Sequence, residues 1–134
     1  MDNAEAEKIC SSISLSCRFL SLDFAAFCPS DALGLLQKLR PIFEHQERRV
    51  KYLRLRVDSL KTSDKRVLEI LNEYAQIALE VHLEVRTEPV NFLSFIGNDD
   101  YAFYGYRSYE SLNYRVYQKN LNGRIITIAS GLHD

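Results

Sequence analysis

The chain predicts an α/β domain spanning residues 1–134, with a mixed sheet of about five strands, parallel βαβ crossovers, two main helices and a C-terminal β-hairpin. Three observations predict it. Apolar and polar residues alternate over Ser12–Phe19, Val50–Leu60 and Leu79–Arg86, the period of a strand with one buried face. Between these runs, apolar residues recur at helical spacing. Near the end, Asn122-Gly123 joins two further alternating runs, and this dipeptide readily supplies the positive φ angles of a tight hairpin turn.

The first alternation sets Ile13, Leu15, Cys17 and Phe19 on one face. Ile9, Ile13, Leu20, Phe24 and Phe27 also fit a helix, but serines at 11, 12, 14 and 16 favour caps and turns, so a strand is the expectation. Pro29-Ser30-Asp31 signals a helix start, and Ala32, Leu35, Leu36, Leu39 and Phe43 form its apolar stripe. Pro41 is expected to kink or restart that helix near Arg40. Leu53, Leu55 and Val57 then alternate with Tyr52, Arg54 and Arg56, a strand with a buried face and an exposed basic one. Ser63-Asp64 opens the clearest helix, expected to reach Glu80, with Val67, Leu68, Leu71, Tyr74, Ala75 and Ala78 inward. A third strand from Leu79 stops before Pro89, Gly97 to Asp100 forms a turn, and Tyr114–Lys119 pairs with Arg124–Ala129.

The order Pro29-Ser30-Asp31-Ala32-Leu33-Gly34-Leu35-Leu36, a strand over 52–58 and a helix carrying Arg66-Val67-Leu68-Glu69-Ile70 resembles the second half of a STAS domain, over about half of the chain. The resemblance implies a similar order of strands and helices. The sequence departs from that family in leaving little room before Ser12 for two opening strands and in reversing the aspartate–serine order at the helix start.

Composition narrows the functional classes. Hydrophobic residues make up 46% and charged residues 26%, enough apolar content for a packed core. The net charge of −1 argues against a strong overall field for nucleic acid or anionic lipid. The charge is uneven: residues 1–46 carry −2, residues 47–66 carry +5 and residues 67–134 carry −4. Cys10, Cys17 and Cys28, odd in number and without CxxC spacing, point to a reducing, cytoplasmic setting. Acidic residues near Met1 and the lack of a long apolar run predict neither export nor membrane insertion.

Catalytic signatures are missing. His45, His82 and His133 have no ligand-like spacing to one another or to cysteine, so no metal site can be read and no cofactor is implied. No GxGxxG, Walker loop, GxSxG or HExxH occurs. Two anomalies remain. Seven aromatic residues from Tyr101 to Tyr117 interleave with Arg107 and Arg115, a composition that suits either a half-buried sheet or a binding surface. Eight bases cluster between Arg48 and Arg66, where Arg54 and Arg56 would share a strand face.

The expected function is a small protein-interaction or regulatory module contacting another protein, or a second copy of itself, through Tyr101, Tyr104, Tyr106, Arg107, Tyr109, Arg54 and Arg56. One alternative is a nucleic-acid binder using the basic segment with the tyrosines. Another is an enzyme whose site assembles only in the fold.

Overall fold

The computed structural model describes residues 3–14, 16–23, 32–47, 49–59, 66–87, 96, 99–109 and 112–131. Its elements, in chain order, are α1 (Asn3–Ser11), β1 (Phe19–Asp23), α2 (Ala32–His45), β2 (Val50–Ser59), α3 (Arg66–Tyr74), β3 (Ala78–Thr87), β4 (Ala102–Tyr109), β5 (Leu112–Leu121) and β6 (Arg124–Gly131). The strands form one mixed sheet in the order β1-β2-β3-β6-β5-β4. β1, β2, β3 and β6 are parallel neighbours, whereas β4, β5 and β6 form an antiparallel meander. The α/β class, the βαβ crossovers and the C-terminal hairpin are as the sequence predicts.

Register explains the core. Leu20, Leu53, Val81 and Ile126 lie side by side across four strands, and Leu22, Leu55, Leu83 and Ile128 form the next row. Helix α2 contributes Leu35, Leu36, Leu39 and Phe43 to the same core, and α3 contributes Val67, Ile70, Leu71 and Tyr74. Tyr74 is fully buried, and its hydroxyl donates to the Leu36 carbonyl at 2.7 Å, satisfying the one polar atom its ring carries inward. Burial raises the Tyr74 phenol's pKa well above its ordinary value.

Several elements differ from expectation. The strand placed at 12–19 begins only at Phe19, and α1 precedes it. Cys10 at 1% exposure and the partly buried Ile9 dock α1 on the core, and the helix stops where the serines begin, with the Ser11 and Ser12 hydroxyls donating to the Lys8 and Ile9 carbonyls. Helix α2 runs unbroken through Pro41. Both Pro41 and Gln37, whose carbonyl loses its partner, are exposed, so the lost bond lies on the water side of the helix. Helix α3 ends at Tyr74, and Ala78–Glu80 belong to β3 instead. The sheet has six strands because the tyrosine segment forms β4. The hairpin turn has φ of 54° at Asn122 and 85° at Gly123, the pair of positive angles of a type I′ turn. Ser30, Asp31, Ser63, Asp64, Cys28 and His133 lie outside the described residues. Neither Cys10 nor Cys17 is in a disulfide. No described helix is long and apolar enough to cross a membrane.

Candidate functional site

The sheet face opposite the core row carries charge. Asp23, Arg56 and Glu84 are in register on β1, β2 and β3, with Ser21, Arg54 and His82 in the neighbouring row. Arg54 donates from Nε and Nη2 to the two Glu84 oxygens at 3.0 and 2.7 Å. Arg56 donates to Asp23 Oδ2 at 3.3 Å and stands 3.8 Å from Glu84. His82 Nε2 approaches Glu84 Oε1 to 3.5 Å, beyond a well-formed hydrogen bond. Burial alone would raise the Glu84 pKa, but the neighbouring His82 ring and the Arg54 donors and charge outweigh it and bring it down to about 2.

The basic face of β2 is therefore not open. Arg54 and Arg56 are half-buried and tied to acids on both neighbouring strands, because in-register carboxylates from β1 and β3 neutralise them. A carboxylate held ionised between guanidiniums is poorly suited to proton transfer near neutrality. Farther along the same face, Tyr114, Val116 and Ala129 make a second apolar cluster, and Gln118 donates to the in-register Thr127 hydroxyl at 3.2 Å.

Structure divides the tyrosine segment. Tyr101 is 6% exposed, in the main core with Tyr117, and Lys119 Nζ lies 5.3 Å from the Tyr101 ring centre. Lys119 is held in turn by Asp99 at 2.9 Å and Asn72 at 3.3 Å. The Tyr101 and Tyr114 hydroxyls find no hydrogen-bond partner among the described residues. On β4, by contrast, Phe103, Tyr104 and Tyr106 are 55%, 69% and 72% exposed. Phe103 packs edge-on against both Tyr106 and Tyr117, at 5.3 and 5.8 Å between ring centres, which anchors this aromatic surface to the core.

β4 is an edge strand, and its ladder with β5 shifts register between Phe103 and Gly105, where Tyr104 is the extra residue. Arg107 is exposed and in register with Tyr114, and Tyr109 ends the strand opposite Leu112. Burial raises the Tyr52 pKa, while the Arg107 and Arg54 charges act in the opposite sense. In a flat sheet β4 and β2 would stand about 19 Å apart, so the influence of Arg107 on Tyr52 means that the sheet is not flat. Of the residues singled out from sequence, Phe103's neighbours Tyr104, Tyr106 and Arg107 share one exposed edge. Tyr101, Arg54 and Arg56 do not join them.

A second concave surface lies where the parallel strands begin, lined among others by Arg18, Arg49, Lys51 and Arg124. Arg49 and Lys51 belong to the basic run of the sequence. Arg18 and Arg124 are isolated in sequence and could have been found only from the alignment of strand starts. Among the described residues, no three His, Cys, Asp or Glu side chains converge as a metal site. Comparisons with protein-family models, with characterised proteins and with solved structures returned no match, so the likeness to a STAS domain is one of element order and function must be argued from these surfaces.

Proposed function

We propose that this chain is a non-catalytic interaction module whose β4 edge binds an extended segment of another protein. The observation that carries this reading is the exposure of Phe103, Tyr104 and Tyr106 together on an edge strand. Large aromatic side chains gain much from burial at an interface and lose little rotamer freedom there. An edge strand also offers unpaired backbone donors and acceptors to an incoming strand, with its flanking side chains supplying specificity. Arg107, in register with Tyr114, adds a guanidinium on the opposite face of the same edge strand.

The test is quantitative binding to partners captured from native cells and identified by cross-links to residues 102–109. Tyr104→Ala and Tyr106→Ala are expected to leave the melting curve unchanged and to weaken association by about 1–2 kcal/mol each. If partners stay bound in proportion to folded protein in both variants, the edge is not the contact. Binding of octauridylate that fades steeply with salt would replace the protein partner by single-stranded RNA stacking on the same rings.

A further inference from the structure

We infer that the groove at the starts of the parallel strands binds an acidic, partly apolar peptide segment, independently of the β4 edge. Its volume is about 610 Å³, within the range of about 300–1,000 Å³ typical of ligand sites. Topology builds it: Arg18 precedes β1, Arg49 precedes β2, Lys51 opens β2, and Arg124 opens β6. Because these strands are parallel, their starts fall at one end of the sheet, and four cations from three separate stretches of the sequence line one groove.

The cations differ in how they are occupied. A fifth base of the groove, Arg40, is spent internally, donating to Glu44, Gln76 and the Glu73 carbonyl at 2.8, 3.0 and 2.9 Å. Arg124 gives one Nη1 donor to the Ala78 carbonyl at 3.0 Å and keeps others. Lys51 lies over the Phe19 ring at 5.8 Å. Arg18 and Arg49 are exposed and make no ion pair among the described residues. With Arg40 set against Glu44, four bases face one acid, Glu47, among the described lining residues, which makes this part of the groove positive by three charges.

The lining decides the ligand class. Among the described residues no aromatic ring is part of the lining, and the exposed Phe19 beside it carries Lys51 over its ring, so the groove lacks a row of platforms on which single-stranded nucleic acids stack their bases. Val50, Ile77 and the exposed Leu79 instead give it an apolar wall. The C-terminal end of α2 lines it at Glu44 and that of α3 lies two residues before the lining Gln76, and the partial negative charge of these helix ends moderates the field for a dense polyanion such as polyphosphate. Carboxylates spaced along a peptide match guanidinium forks by paired hydrogen bonds. Arg124 stands two strands from the β2 cations, roughly 10 Å, which three residues of extended chain would span. An acidic residue at each end of such a span, with an aliphatic side chain between them on Leu79, uses every feature of the lining.

The experiment is fluorescence anisotropy with a labelled peptide, Gly-Glu-Leu-Glu-Asp-Leu-Glu-Gly, its counterpart with glutamine and asparagine in place of the acids, and labelled octauridylate. The full chain is expected to bind the acidic peptide and to bind the amide peptide at least tenfold more weakly. Arg18→Glu with Arg49→Glu should weaken the acidic peptide at least tenfold, Arg49→Gln by a smaller factor, and Lys8→Glu on α1 by less than twofold. Circular dichroism identifies any variant that fails to fold, in which case Arg49→Gln alone decides. Absence of peptide binding, equal binding of the amide peptide, indifference to the Arg49 changes, or tighter binding of octauridylate than of the peptide each overturns the proposal. Loss of peptide binding in the Tyr104→Ala variant would do so as well, since it would place the peptide at the β4 edge.

Discussion

Glu84→Gln tests whether the charge ladder of β1, β2 and β3 stabilises the fold or merely occupies its surface. The substitution keeps shape and removes the charge that Arg54 and Arg56 share. The Glu84 pKa falls from 4.5 to about 2 in the folded chain. At about 1.4 kcal/mol per unit, that shift corresponds to at most roughly 3.4 kcal/mol. Arg54 remains 24% exposed beside Glu84 at 11%, so screening brings the expected contribution to about 1–2 kcal/mol. Because the folded pKa lies below the unfolded one, the contribution is fully present above the unfolded value and is lost as pH falls from about 4.5 toward 2. Urea midpoints of the wild type and Glu84→Gln, measured from pH 7 to pH 2, should be well separated at neutrality and converge at the acid end. A gap that stays constant across that interval would refute the reasoning, because the carboxylate would then contribute nothing through its ionisation.

Other substitutions probe the remaining assignments. Leu71→Ala removes a side chain that is 1% exposed between α3 and the sheet, and should cost about 2–5 kcal/mol in chemical denaturation. Gly123→Ala places a side chain at φ 85° in the β5–β6 turn and should cost about 1 kcal/mol, read as a lower urea midpoint at unchanged slope. Tyr114→Ala should destabilise by about 3 kcal/mol or more by thermal denaturation, like other large-to-small changes of buried aromatics, while Tyr106→Ala should stay within about 0.5 kcal/mol of wild type. Reducing agent should leave the melting temperature unchanged, as neither Cys10 nor Cys17 is in a disulfide.

Patterns that depend on one element alone were legible. The alternation of Leu53, Leu55 and Val57, the helical stripe through Leu68 and Leu71, and the Asn122-Gly123 turn each follow from local geometry and a single buried face. Elements decided by distant partners were not. Residues 3–11 have a weak apolar stripe, and only docking of Cys10 on the core selects the helix. The tyrosine segment has rings on both faces, so period-2 patterning is lost, and the extra residue Tyr104 breaks the alternation further. For the candidate surfaces, sequence located the tyrosines but could not separate buried Tyr101 from exposed Tyr104. Nor could it show that Glu84, thirty residues on, would occupy Arg54. Charge runs are read as exposed because their counter-ions come from other strands.

The place of β6 has a kinetic consequence. It lies in the interior of the sheet, between β3 and β5, and its partner Val81 lies 45 residues before Ile126. Until β6 docks, β1–β3 with their helices and the β4–β5 hairpin are two fragments, each with an apolar strand edge open to other chains. Closing a parallel pair over so long an intervening segment is entropically costly, even with the β4–β5 hairpin formed within it. Folding should therefore await β6 as its committing step. Ile128, flanked in register by Leu83 and Tyr117, joins the two halves at once, so a defect there would slow assembly of the whole sheet rather than loosen one strand.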